Sequence, residues 1–112
     1  MPDREAFKPT ARAFHALAEP TRLAILEVLS QGEHCVCRIQ EALGDIPANL
    51  LSHHLRVLRE AGLVRARRQG RWVLYALEEE NLEALRKAIP RLKPGAEKVC
   101  NCGPPRKRQR RA

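Results

Sequence analysis

Apolar positions recur along most of the chain with a helical period and over one stretch with a two-residue period. Phe7, Ala11, Phe14 and Leu17 follow helical spacing across Ala6 to Ala18, and the Glu19-Pro20 step breaks that run. Pro20 suits the first turn of a second helix, where its missing N–H has no partner to lose. Leu23, Ile25, Leu26, Val28 and Leu29 carry this helix to Gln31-Gly32, a stop signal. A short third helix is expected over Cys35 to Leu43 with Val36, Ile39 and Leu43 inward, then a turn through Gly44-Asp45-Ile46-Pro47. Pro47 opens a fourth helix whose two faces separate cleanly. Leu51, Leu55 and Leu58 share one side with His54, while Asn49, Ser52, His53 and Arg56 stand at i, i+3, i+4 and i+7 on the other.

The period changes between Leu63 and Leu77. Val64-Arg65-Ala66-Arg67 and Trp72-Val73-Leu74-Tyr75 are β-rich runs separated by Gln69-Gly70-Arg71, which predicts a hairpin with Gly70 at a positive φ and arginines 65, 67, 68 and 71 around its tip and edges. A last helix, Glu79 to Ile89, aligns Leu82, Leu85 and Ile89 and stops at Pro90. The expected fold is therefore mainly α with a β-hairpin wing, an α+β winged helix-turn-helix.

Length and charge sharpen this picture. With 112 residues and 44% apolar content, the chain has room for one domain, assigned to residues 1–92, and is too small for most enzyme folds. Four aromatic residues make a thin core, so added burial in a homodimer is expected. The net charge of +8 points to a polyanionic partner. Five of those charges, Arg106, Lys107, Arg108, Arg110 and Arg111, sit in the last seven residues. Residues 93–112, with Pro94, Gly95, Gly103, Pro104 and Pro105 and no apolar period, read as a flexible basic tail. That tail either adds nonspecific phosphate contacts or serves as a solvated end. No apolar run reaches the length of a membrane span, and Met1 to Pro9 lacks a signal-peptide core, so a cytoplasmic location without membrane contact is expected.

A tight turn between two helices is the helix-turn-helix arrangement, whose second helix enters the major groove and meets base edges with its N-terminal side chains. Asn49, Ser52 and His53 can donate or accept hydrogen bonds there, and Arg56, Arg59, Arg68 and Arg71 can pair with phosphates of double-stranded operator DNA. A polar face is often merely solvated, and hairpin arginines often guard a sheet edge. Helix order, basic hairpin and net charge together favour DNA. His54 reads instead as a hydrogen-bonded core histidine, and His34 as a solvated residue with a ligand role as the alternative.

The cysteines form two Cys-x-Cys pairs, Cys35/Cys37 and Cys100/Cys102. In a reducing compartment, thiols or metal ligands are expected in preference to disulfides. Soft thiolates select thiophilic ions: three sulfurs suit pyramidal As(III) or Sb(III), and four suit Cd(II), Pb(II) or Zn(II). Because residues i and i+2 diverge around a helix, Cys35 and Cys37 can share an ion only at a distorted helix start. The tail pair is placed to supply the remaining ligands, within one subunit or across a dimer. Small core residues for the first pair and an oxidisable dithiol for the second are the alternatives.

The sequence resembles the ArsR/SmtB family of bacterial metal-sensing repressors over roughly residues 12–90. The likeness rests on Leu17-Ala18-Glu19-Pro20-Thr21-Arg22-Leu23-Ala24-Ile25-Leu26, on Cys35-Val36-Cys37, on Leu51-Ser52-His53-His54-Leu55-Arg56-Val57-Leu58-Arg59-Glu60-Ala61-Gly62-Leu63-Val64, and on Arg68-Gln69-Gly70-Arg71-Trp72-Val73-Leu74-Tyr75. The resemblance implies a homodimer joined through its first and last helices, bound to a palindromic operator without metal and released by metal. It places the base contacts on Asn49, Ser52 and His53. The Cys-Val-Cys pair is similar to the third-helix site of arsenite and cadmium/lead sensors, but Gln40 stands where the arsenite sensors carry a third cysteine. The N-terminal arm also lacks the cysteines of the cadmium/lead sensors, which leaves Cys100 and Cys102 to complete the site. The last helix has no histidine, so the family's zinc, cobalt and nickel site is expected to be absent.

The resulting expectation is an As(III)- or Sb(III)-responsive repressor with no organic cofactor. A Cd(II)/Pb(II)/Zn(II)-responsive repressor using four thiolates, and a repressor switched by thiol oxidation, are the alternatives. A small thiol enzyme is disfavoured because no Cys-x-x-Cys motif and no phosphate or oxyanion loop is present.

Overall fold

A computed structural model describes residues 3–44 and 46–89. The tail from residue 93, its Cys100/Cys102 pair and the domain boundary at residue 92 lie outside the described residues. The element order is a 3₁₀ turn (Arg4–Phe7), α1 (Lys8–Leu17), α2 (Pro20–Leu29), β1 (His34–Cys35), α3 (Val36–Leu43), α4 (Ala48–Glu60), β2 (Val64–Gln69), β3 (Trp72–Leu77) and α5 (Glu79–Ala88). Helices, a hairpin and a closing helix thus appear in the expected order.

The first helix is shorter than the Ala6–Ala18 periodicity suggests. Asp3 accepts from the Glu5 N–H at 3.0 Å and starts a 3₁₀ turn, and regular α-helix begins only at Lys8, with Pro9 in its first turn. Pro20 opens α2 as expected, while the Glu19 carboxylate caps it by accepting from the Arg22 N–H at 3.0 Å. The third helix departs further from expectation. Cys35 is extended, with φ −77° and ψ 164°, and pairs with Leu74 of β3, so α3 starts at Val36. A two-residue strand has no period to betray it. The sheet is antiparallel with order β1-β3-β2, and Gln69 faces Trp72 across a two-residue Gly70-Arg71 loop. Gly70 has φ +61° and no non-glycine residue is left-handed among those described, which matches the hairpin turn with glycine at its first central position.

The core forms where α2, α3 and α4 meet the root of the hairpin. Ile25, Ile39, Leu51, Leu55, Leu58 and Leu63 are fully buried, each worth about 1.5–3 kcal/mol relative to exposure. Leu51, Leu55 and Leu58 come from the predicted inner face of α4. The α2 stripe differs from its pattern, because Arg22 is buried and the neighbouring Leu23 is half exposed. Phe7 and Ile89, at the outer ends of the first and last helical segments, also stay more than half exposed. Among the described residues, no helix is long and apolar enough to cross a membrane.

Arg22 repays its burial through hydrogen bonds. Its Nε donates to the Ala16 carbonyl at 2.6 Å and its Nη1 donates to His54 Nδ1 at 3.1 Å, so one guanidinium joins the end of α1, the start of α2 and the inner face of α4. Substituting Arg22→Met keeps most of the volume but leaves both acceptors buried and unpaired. The expected loss is about 2–4 kcal/mol of unfolding free energy, measurable by denaturant titration.

Candidate nucleic-acid interface and thiol junction

Helix α4 presents its polar face outward because Leu51, His54, Leu55 and Leu58 turn the opposite face into the core, while Leu50 at its start stays exposed. Asn49, Ser52, His53, Arg56 and Arg59 are all exposed, as their spacing predicts. Arg56 is lightly held: its Nη2 lies 3.4 Å from His53 Nδ1 and its Nε 3.9 Å from Glu60. Arg59 has no carboxylate partner among the described residues. The turn that aims this helix is held by Gln40, whose Nε2 donates to the Ile46 carbonyl at 2.9 Å. Gln40 therefore braces the turn between α3 and α4, and its amide has no thiolate character to offer an ion.

The hairpin arginines divide into two sets. Arg65 donates to the Leu77 carbonyl at 2.6 Å and to Glu78 at 3.0 Å, and Arg67 makes a two-pronged pair with Glu33 at 2.6 and 2.7 Å. The Arg67 hydrogen bond holds the Glu33 carboxyl below its ordinary range, and Glu33 in turn raises Arg67. Arg68 and Arg71 at the tip are exposed and have no ion-pair partner among the described residues. These two remain available to an external anion, whereas Arg65 and Arg67 already serve the fold.

Cys35 and Cys37 flank the junction between β1 and α3. Cys35 is partly buried and lines a cleft of about 300 Å³ with Gln69, Trp72 and Leu74. Cys37, one residue into the helix, is exposed and lines a separate depression with Gln40, Gly44 and Pro47. The two cysteines thus belong to one junction but line no common cavity, Cys35 also bordering the larger groove between α2 and α3. Among the described residues, no three potential ligands cluster around a common point. His34 Nδ1 lies 2.7 Å from the Gly32 carbonyl, which can only accept, so this nitrogen carries the proton.

His54 behaves as a structural residue. Burial lowers its pKa, with the nearby Glu19 carboxylate, 3.9 Å away, opposing that shift. Arginine has only protons to offer, so Nδ1 accepts from Arg22 and the neutral ring carries its proton on Nε2. Burial works to raise the Glu19 carboxyl, but the backbone N–H of Arg22, His54 and other neighbours outweigh it and leave the net shift downward. Sequence reasoning found His54 but missed Arg22, Glu19, Gln40 and Glu33. The place of Glu19 immediately before a helix-opening proline was the one local signal available, since that is the N-cap position. Arg67, the partner of Glu33, and His54, the side-chain partner of Arg22, lie more than 30 residues away.

Comparison with known proteins adds an independent line. The family model described as "Bacterial regulatory protein, arsR family" matches residues 19–66, from the α2 cap into β2. An uncharacterized HTH-type transcriptional regulator of Methanocaldococcus jannaschii is 37% identical over 89 residues, which are 79% of this chain and 99% of that protein. The arsenical resistance operon repressor of Escherichia coli is 49% identical over 65 residues, covering 57% of this chain and 55% of the repressor. The chain thus spans little more than half of that relative. The solution structure of a homodimeric winged helix-turn-helix DNA-binding domain from Mycobacterium bovis, a possible ArsR-family regulator, superposes with a TM-score of 0.67. It is 35% identical, over 79% of this chain and 83% of that one.

The histidine chemistry gives a pH prediction. A base whose folded pKa lies below its unfolded value binds fewer protons folded than unfolded, so its contribution is complete above the ordinary value of about 6.5 and is lost as pH falls towards the folded value. Thermal denaturation should show stability declining as pH drops below that point. In His54→Asn, whose Oδ1 takes the place of Nδ1 and still accepts from Arg22, this decline should flatten, leaving the carboxylate losses at lower pH.

Proposed function

This chain belongs to the arsR family of bacterial regulatory proteins, and from that premise we propose that it is a cytoplasmic, homodimeric repressor whose DNA affinity is lowered when As(III) or Sb(III) is captured by cysteine thiolates. It acts by binding and not by turnover. The observation that carries this reading is the position of Cys35 and Cys37 at the β1–α3 junction, with Cys37 lining a depression it shares with Gly44 and Pro47 of the turn that aims α4. A thiolate pair at that point can exchange protons for a thiophilic ion, with three sulfurs supplying the pyramidal geometry that trivalent arsenic prefers. Cys37 is exposed and Cys35 borders an open cleft, so both thiols are reachable. Cys100 or Cys102 completes the set. Four sulfurs would suit Cd(II), Pb(II) or Zn(II) instead, and a helix-to-tail disulfide would make the protein a redox sensor.

On DNA, Asn49, Ser52 and His53 read base edges from the exposed face of α4, while Arg56, Arg59, Arg68 and Arg71 contact phosphates. The M. bovis homodimer supports a paired arrangement, in which two copies of α4 would meet two half-sites. The half-exposed Phe7 and Ile89 offer apolar surface for such a pairing. Release needs a coupling free energy of only about 1–3 kcal/mol between ion and DNA sites.

Fluorescence anisotropy of the reduced protein on its own promoter fragment tests the reading, with arsenite and cadmium titrated separately. Arsenite near stoichiometry should release the DNA. Cys35→Ser and Cys37→Ser should bind DNA as the wild type does and no longer respond; a full response in either variant rejects the site. Release by cadmium alone would instead select the four-sulfur reading. In a separate salt titration, replacing both Arg68 and Arg71 by Ala should shallow the slope of log K against log salt by about 0.9 for each phosphate contact removed.

A further inference from the structure

We propose that Glu33 and Arg67 are positioning residues, the latch through which ion capture at the thiol junction reaches the wing. The inference rests on the sensor reading above and adds to it a route and two residues. Cys35 lies in β1, which pairs with β3 in the register His34 to Tyr75 and Cys35 to Leu74. Leu74 in turn faces Arg67 on β2. Glu33, next to this short strand, reaches past β3 and grips Arg67 with both carboxylate oxygens. Residues 33–35 are therefore fastened to both strands of the wing, one by backbone pairing and the other by a charged fork.

Capture of one ion by both thiols requires motion at this point. Cys35 is extended and Cys37 is helical, and the two line no common cavity: Cys35 borders the cleft at Trp72 and the groove between α2 and α3, Cys37 the depression at Pro47. Their convergence on one ion turns the Cys35–Val36 step, where the extended strand passes into the helix. That rotation drags β1. With the fork intact, β1 moves β3 and β2 together and shifts the tip arginines Arg68 and Arg71. Without it, a strand of two residues slips against β3 and the wing stays where it was. A two-pronged arginine–carboxylate pair resists such slipping because both hydrogen bonds fix its angle.

The test compares wild type, Glu33→Ala and Arg67→Lys in the full-length chain. Arg67→Lys keeps the charge but cannot form the fork, and it guards against misfolding of the first variant. Three quantities are measured: operator affinity with and without arsenite, arsenite capture by the DNA-free protein followed through the single Trp72, and backbone hydrogen exchange of β3 without arsenite. Both variants should capture arsenite and bind DNA, while β3 amides exchange faster and the arsenite-induced loss of DNA affinity falls from the roughly 5–150-fold typical of such coupling towards unity. Wild-type release in both variants overturns the latch while leaving the sensor intact. Failure of arsenite to release the wild type overturns the sensor reading and the latch with it.

Discussion

The arrangement of the DNA-facing surface depends on one buried guanidinium. Arg22 donates to the last turn of α1 and to His54 on the inner face of α4, while its own backbone N–H is held by the Glu19 cap. Burying a cation is unfavourable unless its donors are satisfied, and here the two acceptors of the guanidinium come from two separate helices, α1 and α4. The interaction is therefore directional where the surrounding leucine contacts are not. Leu51, Leu55 and Leu58 make α4 stick to the core, but apolar contacts tolerate rotation. The Arg22–His54 bond selects one rotation of the helix, and with it which side chains point outward.

Arginine plays three different roles in this small domain, which explains why net charge alone is a poor map of DNA contacts. Arg22 is structural and buried. Arg65 and Arg67 neutralise Glu78 and Glu33 and stiffen the sheet. Arg68 and Arg71, placed at the loop end of the hairpin, have no ion-pair partner among the described residues. The division follows geometry: positions near the sheet root lie within reach of carboxylates on neighbouring elements, whereas the tip projects beyond them.

Those distinctions mark where the amino-acid pattern could be read and where it could not. Helix α4 was legible because its leucines and its polar residues occupy opposite faces with almost no overlap. The hairpin was legible because a two-residue period surrounds Gly70, the residue its tight loop requires. The outer face of α4 followed directly from these patterns. Arg22 and Leu23 exchange the places that hydrophobicity alone would give them, because the partner that makes Arg22 acceptable inside is His54, 32 positions later. Strand β1 was hidden for a related reason. Its two residues pair with a strand distant in sequence, so Cys35 reads as helical until Leu74 is beside it.

That misplacement bears on the chemistry of the thiols. Two cysteines within one regular helix would be held apart by the helix itself, and bringing them together would mean unwinding hydrogen-bonded backbone. Cys35 is instead at the cap, where its backbone is extended and only its carbonyl enters the helical ladder, so a rotation there strains no more than the first turn of α3. What resists the rotation is β1 pairing and the Glu33–Arg67 fork, both of which end in the wing. Under the proposed capture, the contacts that hold the junction open are thus the contacts an ion would strain. An ion that binds the closed junction more tightly than the open one shifts the wing by that difference in affinity, with no need for contact between ion and DNA.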